Sequence, residues 1–141
     1  MNKIKQKVKE VLHIYNVSIK NNKSLETIKQ FLKSITELFD LIIIEYLEKN
    51  NLDVPDSPLK RLNTFLNYVD DEKIKNILEE YKIWRKCINS EMTVINEFRR
   101  NIKVICKLGE NEYYIDQKTL KEILEKTKEF YNYMKPKIWL K

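Results

Sequence analysis

One glycine, one histidine, three prolines and no alanine occur in this chain of 141 residues. A glycine-rich loop that cradles phosphates through successive backbone N–H groups cannot be built from a single glycine. His13, Cys87 and Cys106 are too few for a Cys/His zinc site, and the two Glu-x-x-His motifs that a di-iron bundle needs cannot be built from one histidine. His13 reads as a residue on the boundary between the wet and apolar faces of a helix. The two thiols read as small buried hydrophobes in a reducing compartment. Without alanine, close small-residue helix contacts are disfavoured, and Ile, Leu and aromatic side chains must set the spacing. The longest uninterrupted apolar run, Leu41 to Ile44, is far below the ~20 residues that span a bilayer. The alternately charged Asn2 to Glu10 is unlike a signal peptide. A soluble, cytoplasmic chain with no membrane contact, no cofactor and no metal is the expectation.

What the chain does have is charge of both signs and strong helical periodicity. Lys and Arg number 27 against 21 Asp and Glu, a net charge of +6 with a pI near 9.1. That balance permits an acidic partner such as RNA, DNA or an acidic protein. It equally reflects the Lys-, Ile-, Asn- and Tyr-rich usage of an A+T-rich genome. The length suits one domain over residues 1–141.

The organising stretch is Leu25 to Tyr46. Leu25, Ile28, Leu32, Ile35, Phe39, Ile42 and Tyr46 recur in steps of three and four, which places them on one helical stripe. Phe31, Leu38, Leu41, Ile43, Ile44 and Leu47 widen the stripe until the second half is apolar nearly all round. Such a helix must be covered on several sides, as the central rod of a bundle is. Before it, Lys3 to Lys20 carries an apolar face of Ile4, Val8, Val11, Leu12, Tyr15 and Ile19. Ser24 is placed to cap the central helix, and Ser57-Pro58 is an N-cap followed by a first-turn proline. Leu59, Leu62, Leu66 and Val69 outline a short third helix. Asp70-Asp71 offers a cap to a fourth, whose face is Ile74, Ile77, Leu78, Tyr81, Trp84 and Ile88.

From Trp84 the series Ile88, Glu91, Ile95, Phe98, Ile102 and Ile105 keeps the helical period except at Glu91. The favoured reading is one continuous or kinked helix ending near Leu108, with Phe98, Ile102 and Ile105 toward the core and Gly109 as its left-handed C-cap. The alternative is a hairpin from Lys103 to Ile115 around Gly109. Asp116 caps the last helix, Ile115 and Leu120 occupy hydrophobic-staple positions, and Leu120, Leu124, Thr127, Tyr131 and Met134 form its stripe. Pro136 is expected to kink or end it, ahead of the tail Lys137 to Lys141. The fold class expected is all-α, an up-and-down antiparallel bundle of four main helices plus a short one.

One stretch has unusual local density, Glu97 to Lys107. On a helix, Arg99, Lys103 and Lys107 share a ridge with Arg100 beside it, a place able to hold phosphates. Taken together, three features resemble a HEPN domain: Ser24 to Val69 with its proline-containing loop; Glu97-Phe98-Arg99-Arg100-Asn101, similar to that family's arginine–polar motif near the end of a long helix; and Tyr114-Ile115-Asp116, followed by a helix rich in aromatics (Phe130, Tyr131, Tyr133). The resemblance implies a small helical module of the kind found in RNA cleavage, toxin–antitoxin and defence systems. It further implies a homodimer with Arg100 and Asn101 lining a basic cleft, and a nucleotidyltransferase-type protein or RNA as partner. Catalytic members place a histidine five to seven residues after the motif arginine. Counting from Arg100, those positions hold Ile105, Cys106 and Lys107. The resemblance therefore implies a non-catalytic member with no catalytic residue, whose binding residues are Arg99, Arg100, Asn101, Lys103 and Lys107. The other readings are a ribonuclease with an altered site using Tyr113 or Tyr114, and a purely structural bundle.

Overall fold

The computed structural model describes residues Asn2 to Trp139. The first helix, α1, is α-helical over Asn2–His13, widens to a π-helical turn over Ile14–Ser18 and closes with Ile19–Asn21. It is followed by α2 (Leu25–Lys49), α3 (Pro58–Leu66) and α4 (Glu72–Ile88). Three strands come next, β1 (Met92–Ile95), β2 (Lys103–Leu108) and β3 (Asn111–Ile115), and then α5 (Gln117–Trp139). The molecule is thus mostly helical but carries a three-stranded antiparallel sheet in the order β1-β2-β3, so the all-α expectation is corrected.

The helix starts follow their caps. Ser24 and Thr27 form a reciprocal capping box at α2, Ser57 accepts the N–H of Lys60 ahead of Pro58, and Asp71 accepts those of Lys73 and Ile74. Each satisfies donors that the first turn leaves unpaired. In α1, the buried positions Ile14 and Ile19 are five residues apart rather than three or four. The π turn absorbs the extra residue, so both side chains reach the core.

Helix α2 touches all four other helices. Ile28, Phe31, Leu32, Ile35, Leu38, Phe39, Ile42, Ile43 and Leu47 are all buried along it. At its middle, Phe39 stacks on Tyr81 of α4 (4.9 Å between ring centres) and on Phe130 of α5 (4.5 Å). Two rings cannot occupy one face of a third, so Phe39 is held between them. Trp84 meets the edge of the stack at 5.7 Å. Asp40, the next residue, binds the Arg61 guanidinium of α3 through both oxygens, at 2.9 and 2.6 Å.

The long helix expected through Leu108 ends at Ile88. Asn89 and Ser90 break it, their N–H groups returning to Lys86 and Cys87 carbonyls. From Lys103 to Ile115 the chain takes the alternative form, a hairpin. Gly109 has φ +68 and Glu110 is not left-handed, the pattern of a type II′ two-residue turn, which suits the twist of the flanking strands. Val104 lies between Val94 and Ile115 in the register, and Cys106 between Met92 and Tyr113. Ile102, Val104, Cys106 and Ile115 are fully buried on this inner face, against α4 and α5. Tyr113 belongs to it too: its hydroxyl accepts the Trp84 indole N–H, and burial pushes its pKa up to about 12.

Helix α5 runs through Pro136 to Trp139 rather than ending at the proline. Trp139 packs edge-on against Tyr131 at 5.6 Å, while Leu140 and Lys141, the end of the tail, lie outside the described residues. Among the described residues no helix is long and apolar enough to cross a membrane.

Candidate anion-binding groove

The stretch read as a basic helical ridge is a turn and a strand. Asn96 to Ile102 connects β1 to β2, and Lys103 to Lys107 lie within β2. A strand sends alternate side chains to opposite faces. Lys103, Ile105 and Lys107 therefore share the outer face while Ile102, Val104 and Cys106 fill the core. Phe98, expected in the core, is 67% exposed, and Ile105 sits on the outer face in a row with Thr93 and Tyr114.

This turn is fastened to the junction between α1 and α2. The Phe98 N–H donates to the Lys23 carbonyl at 2.6 Å. The Glu97 carboxylate accepts the N–H of Leu25, the first residue of α2, at 2.9 Å. A carboxylate there also meets the positive end of the helix dipole. Within the turn, Asn96 and Phe98 both adopt positive φ (54° and 70°), a conformation costly for side chains with a Cβ.

The fastening and the pairing of β3 with β2 bring three segments around one groove. Its larger part, about 600 Å³, is lined by Tyr15 and Asn16 of the π turn, by Lys20 and Lys23, by Arg100, and by Gln117 and Leu120 of α5. Its smaller part, about 390 Å³, is lined by Ile95, Asn96, Arg100, Asn101, Lys103 and the start of α5 including Lys118. Arg100 and Gln117 border both parts, so the two are neighbours. Lys20, Lys23, Arg100, Lys103 and Lys118 face a single lining carboxylate, Asp116. That carboxylate is engaged: it caps α5 by accepting the N–H and hydroxyl of Thr119 at 2.8 and 2.9 Å. The Thr119 N–H bond, helped by its hydroxyl and by Lys103 nearby, holds the Asp116 carboxyl below its ordinary value. Gln117 and Lys118 open the 23-residue α5, whose positive dipole end borders the same groove. On the other wall, burial raises the Tyr15 hydroxyl above its ordinary pKa, with the Glu125 carboxylate adding to the rise.

Of the five residues singled out in the sequence, Arg100, Asn101 and Lys103 meet in this groove. Arg99 stands exposed in the same turn, and Lys107 is elsewhere. It lines a third hollow of about 1010 Å³ with Lys82, Arg85 and Lys86, over a floor that includes Pro58, Leu59, Leu62 and Leu108. Lys20, Lys23, Gln117 and Lys118 carry no local signal of the site, because only the tertiary fold brings them to Arg100.

Of the three features that carry the family resemblance, Ser24 to Val69 forms the long helix, loop and short helix expected. Asp116 opens a helix containing Phe130, Tyr131 and Tyr133. The middle one, Glu97 to Asn101, is a turn between strands and not the end of a helix. No family model matches the chain, and no curated protein or solved structure is significantly similar to it.

Proposed function

We propose that this chain is a non-catalytic binding module that holds a phosphate-bearing ligand, RNA or a nucleotide, in the groove around Arg100. The observation that carries this reading is the convergence of Lys20, Lys23, Arg100, Lys103 and Lys118 on one hollow whose only lining carboxylate is already used as a helix cap. Clustered cations beside a helix N-terminus suit phosphate oxygens, with arginine supplying the planar, bidentate contact. Arg99 extends the cationic rim. In the same reading the chain is a HEPN-like up-and-down bundle with a sheet inserted, which pairs with a second copy in the cytoplasm so that Arg100 and Asn101 line a shared cleft. The binding half of that family's site then has a counterpart in Arg100 and Asn101, and its histidine has none at Ile105 to Lys107.

A second occupant is favoured by a separate observation. The hollow that holds Lys107 combines an apolar floor with four cations, which suits a protein partner such as a nucleotidyltransferase-type chain better than a nucleic acid.

The test is fluorescence anisotropy with a labelled oligouridylate over a salt series. Wild-type protein should bind well below the ~10⁻⁴ M nonspecific level, with an affinity that falls steeply with salt. Arg100→Glu should weaken binding at least tenfold and flatten the salt slope, while Lys82→Glu/Lys86→Glu should not. Binding unchanged in Arg100→Glu would refute the site.

A further inference from the structure

Phe98 is anomalous in two ways. It is the most exposed large hydrophobic residue among the described residues, at 67%, and it is held at φ +70 where a Cβ is unwelcome. Neither property is imposed by the chain entering or leaving the turn, since glycine would relax the backbone and a polar residue would suit the exposure. The turn is nonetheless rigidly held, by the Phe98 N–H on the Lys23 carbonyl and the Glu97 carboxylate on the Leu25 N–H. An aromatic ring is thus presented to solvent on a fixed mount.

Its surroundings repeat the theme. Ile95 is 46% and Tyr114 is 49% exposed, and Ile95 lines the smaller part of the groove. The Lys103 ammonium, another groove residue, lies 5.5 Å from the centre of the Tyr114 ring. Tyr114 pairs with Ile105 on the outer face of the sheet. Each exposed ring therefore neighbours a cation of the groove, Phe98 two residues from Arg100 and Tyr114 against Lys103. This interleaving is what unpaired nucleic acid requires, because its backbone needs cations and its splayed bases need flat apolar surfaces. A duplex offers only its phosphates, and a free nucleotide leaves at least one ring uncovered.

We infer that the ligand of the groove is single-stranded nucleic acid, with its phosphates at Arg100, Lys103 and Lys23 and its bases stacked on Phe98 and Tyr114. This rests on the reading of the groove as a phosphate site and adds the strandedness and the two stacking residues. The chemistry is common to RNA and DNA strands.

The experiment measures anisotropy for four probes of equal length: oligouridylate, oligothymidylate, an abasic deoxyribose-phosphate strand and a blunt duplex. Wild type should prefer the strands with bases over both other probes. Phe98→Ala should weaken binding of oligouridylate about tenfold, the usual loss for a base-stacking ring, and leave the abasic strand unaffected. Tyr114→Ser should act in the same direction, and Phe98→Trp should restore affinity. Both aromatic positions are exposed, so these variants keep the fold. Equal affinity for oligothymidylate and the abasic strand would overturn the stacking and leave the phosphate site standing. No binding of any probe above the nonspecific level, in wild type and Arg100→Glu alike, would overturn both. A preference for oligouridylate over oligothymidylate identifies RNA as the source, the reverse identifies DNA, and parity shows that either strand is taken; all three support the inference.

Discussion

Phe39 and Phe98 are the same side chain in opposite circumstances. Phe39 is fully buried in the middle of α2, stacked between Tyr81 and Phe130. Phe98 is exposed on a turn with a strained backbone. The contrast extends to their regions. Around α2 nearly every apolar residue is covered from several sides, and dispersion and burial hold the helices together. The sheet buries one face against α4 and α5 and leaves Ile95, Ile105 and Tyr114 on the other, with Phe98 exposed on the turn between β1 and β2. One region spends its apolar surface on stability and the other keeps it available.

Substitutions at matched positions sharpen that division. The largest effect is expected from Phe39→Ala, which empties the centre of the aromatic stack. A loss of about 3–5 kcal/mol is expected from buried Phe truncations, read as a fall in the urea midpoint or as failure to fold. Next comes Asp40→Ala. It leaves the Arg61 guanidinium, whose charged form the Asp40 bond favours, with its bond to the Pro55 carbonyl and no carboxylate partner of that kind. A cost of about 2 kcal/mol is expected, less than for a fully buried pair because these side chains keep 15% and 14% of their exposure.

A smaller effect concerns the groove's own helix. The Asp116 carboxyl is held below its ordinary value of 3.8. A group whose folded pKa is depressed stabilises the fold above its unfolded pKa, and that contribution is lost as the pH falls through the folded value. Asp116→Asn, which can still cap, should change stability near neutral pH little and make the loss of stability below about pH 4 less steep. An unchanged acid limb in chemical denaturation would show that the charge on Asp116 does not stabilise the fold.

The smallest effect carries the opposite sign. Phe98→Gly relieves a left-handed penalty of about 1–2 kcal/mol and adds about 0.5–1 kcal/mol of chain entropy to the unfolded state. A net gain of roughly 0.5 kcal/mol is expected from the difference of those two effects, with weaker binding of a single strand. A clear loss of stability would mean that the ring supports the fold, and the two regions would then differ less than their exposure suggests.

Much of the helical region is legible in the chain, because its signals are local. The caps at Ser24, Ser57 and Asp71, the proline after Ser57 and the stripe of α2 act within a few residues of where they stand. The sheet is harder to read. Ile88, Ile95, Phe98, Ile102 and Ile105 fit a helical period, and the true alternation of Ile102, Val104 and Cys106 is masked by Ile105 on the outer face. Gly109 fits a helix cap and a hairpin turn equally well by residue type alone. What decides between them is packing on α4 and α5, which no local window contains. The groove is legible only in part for the same reason. Arg100, Asn101 and Lys103 are neighbours in sequence, whereas Lys20 and Lys23 reach them through the Phe98–Lys23 and Glu97–Leu25 bonds, and Lys118 through β3, which pairs with β2 and leads into α5. The family resemblance draws attention to Arg100 by assuming a helix there, and the cation cluster stands on a turn.

The central claim is that this turn and the groove beside it form the ligand-binding face. Amide chemical-shift mapping of isotope-labelled protein titrated with oligouridylate tests it most directly. Shifts concentrated at Lys20, Lys23, Phe98, Arg100, Lys103 and Gln117, saturating together, are the expected result. Shifts centred on Leu59, Lys82, Arg85 and Lys107, or no saturable shifts at all, would contradict it.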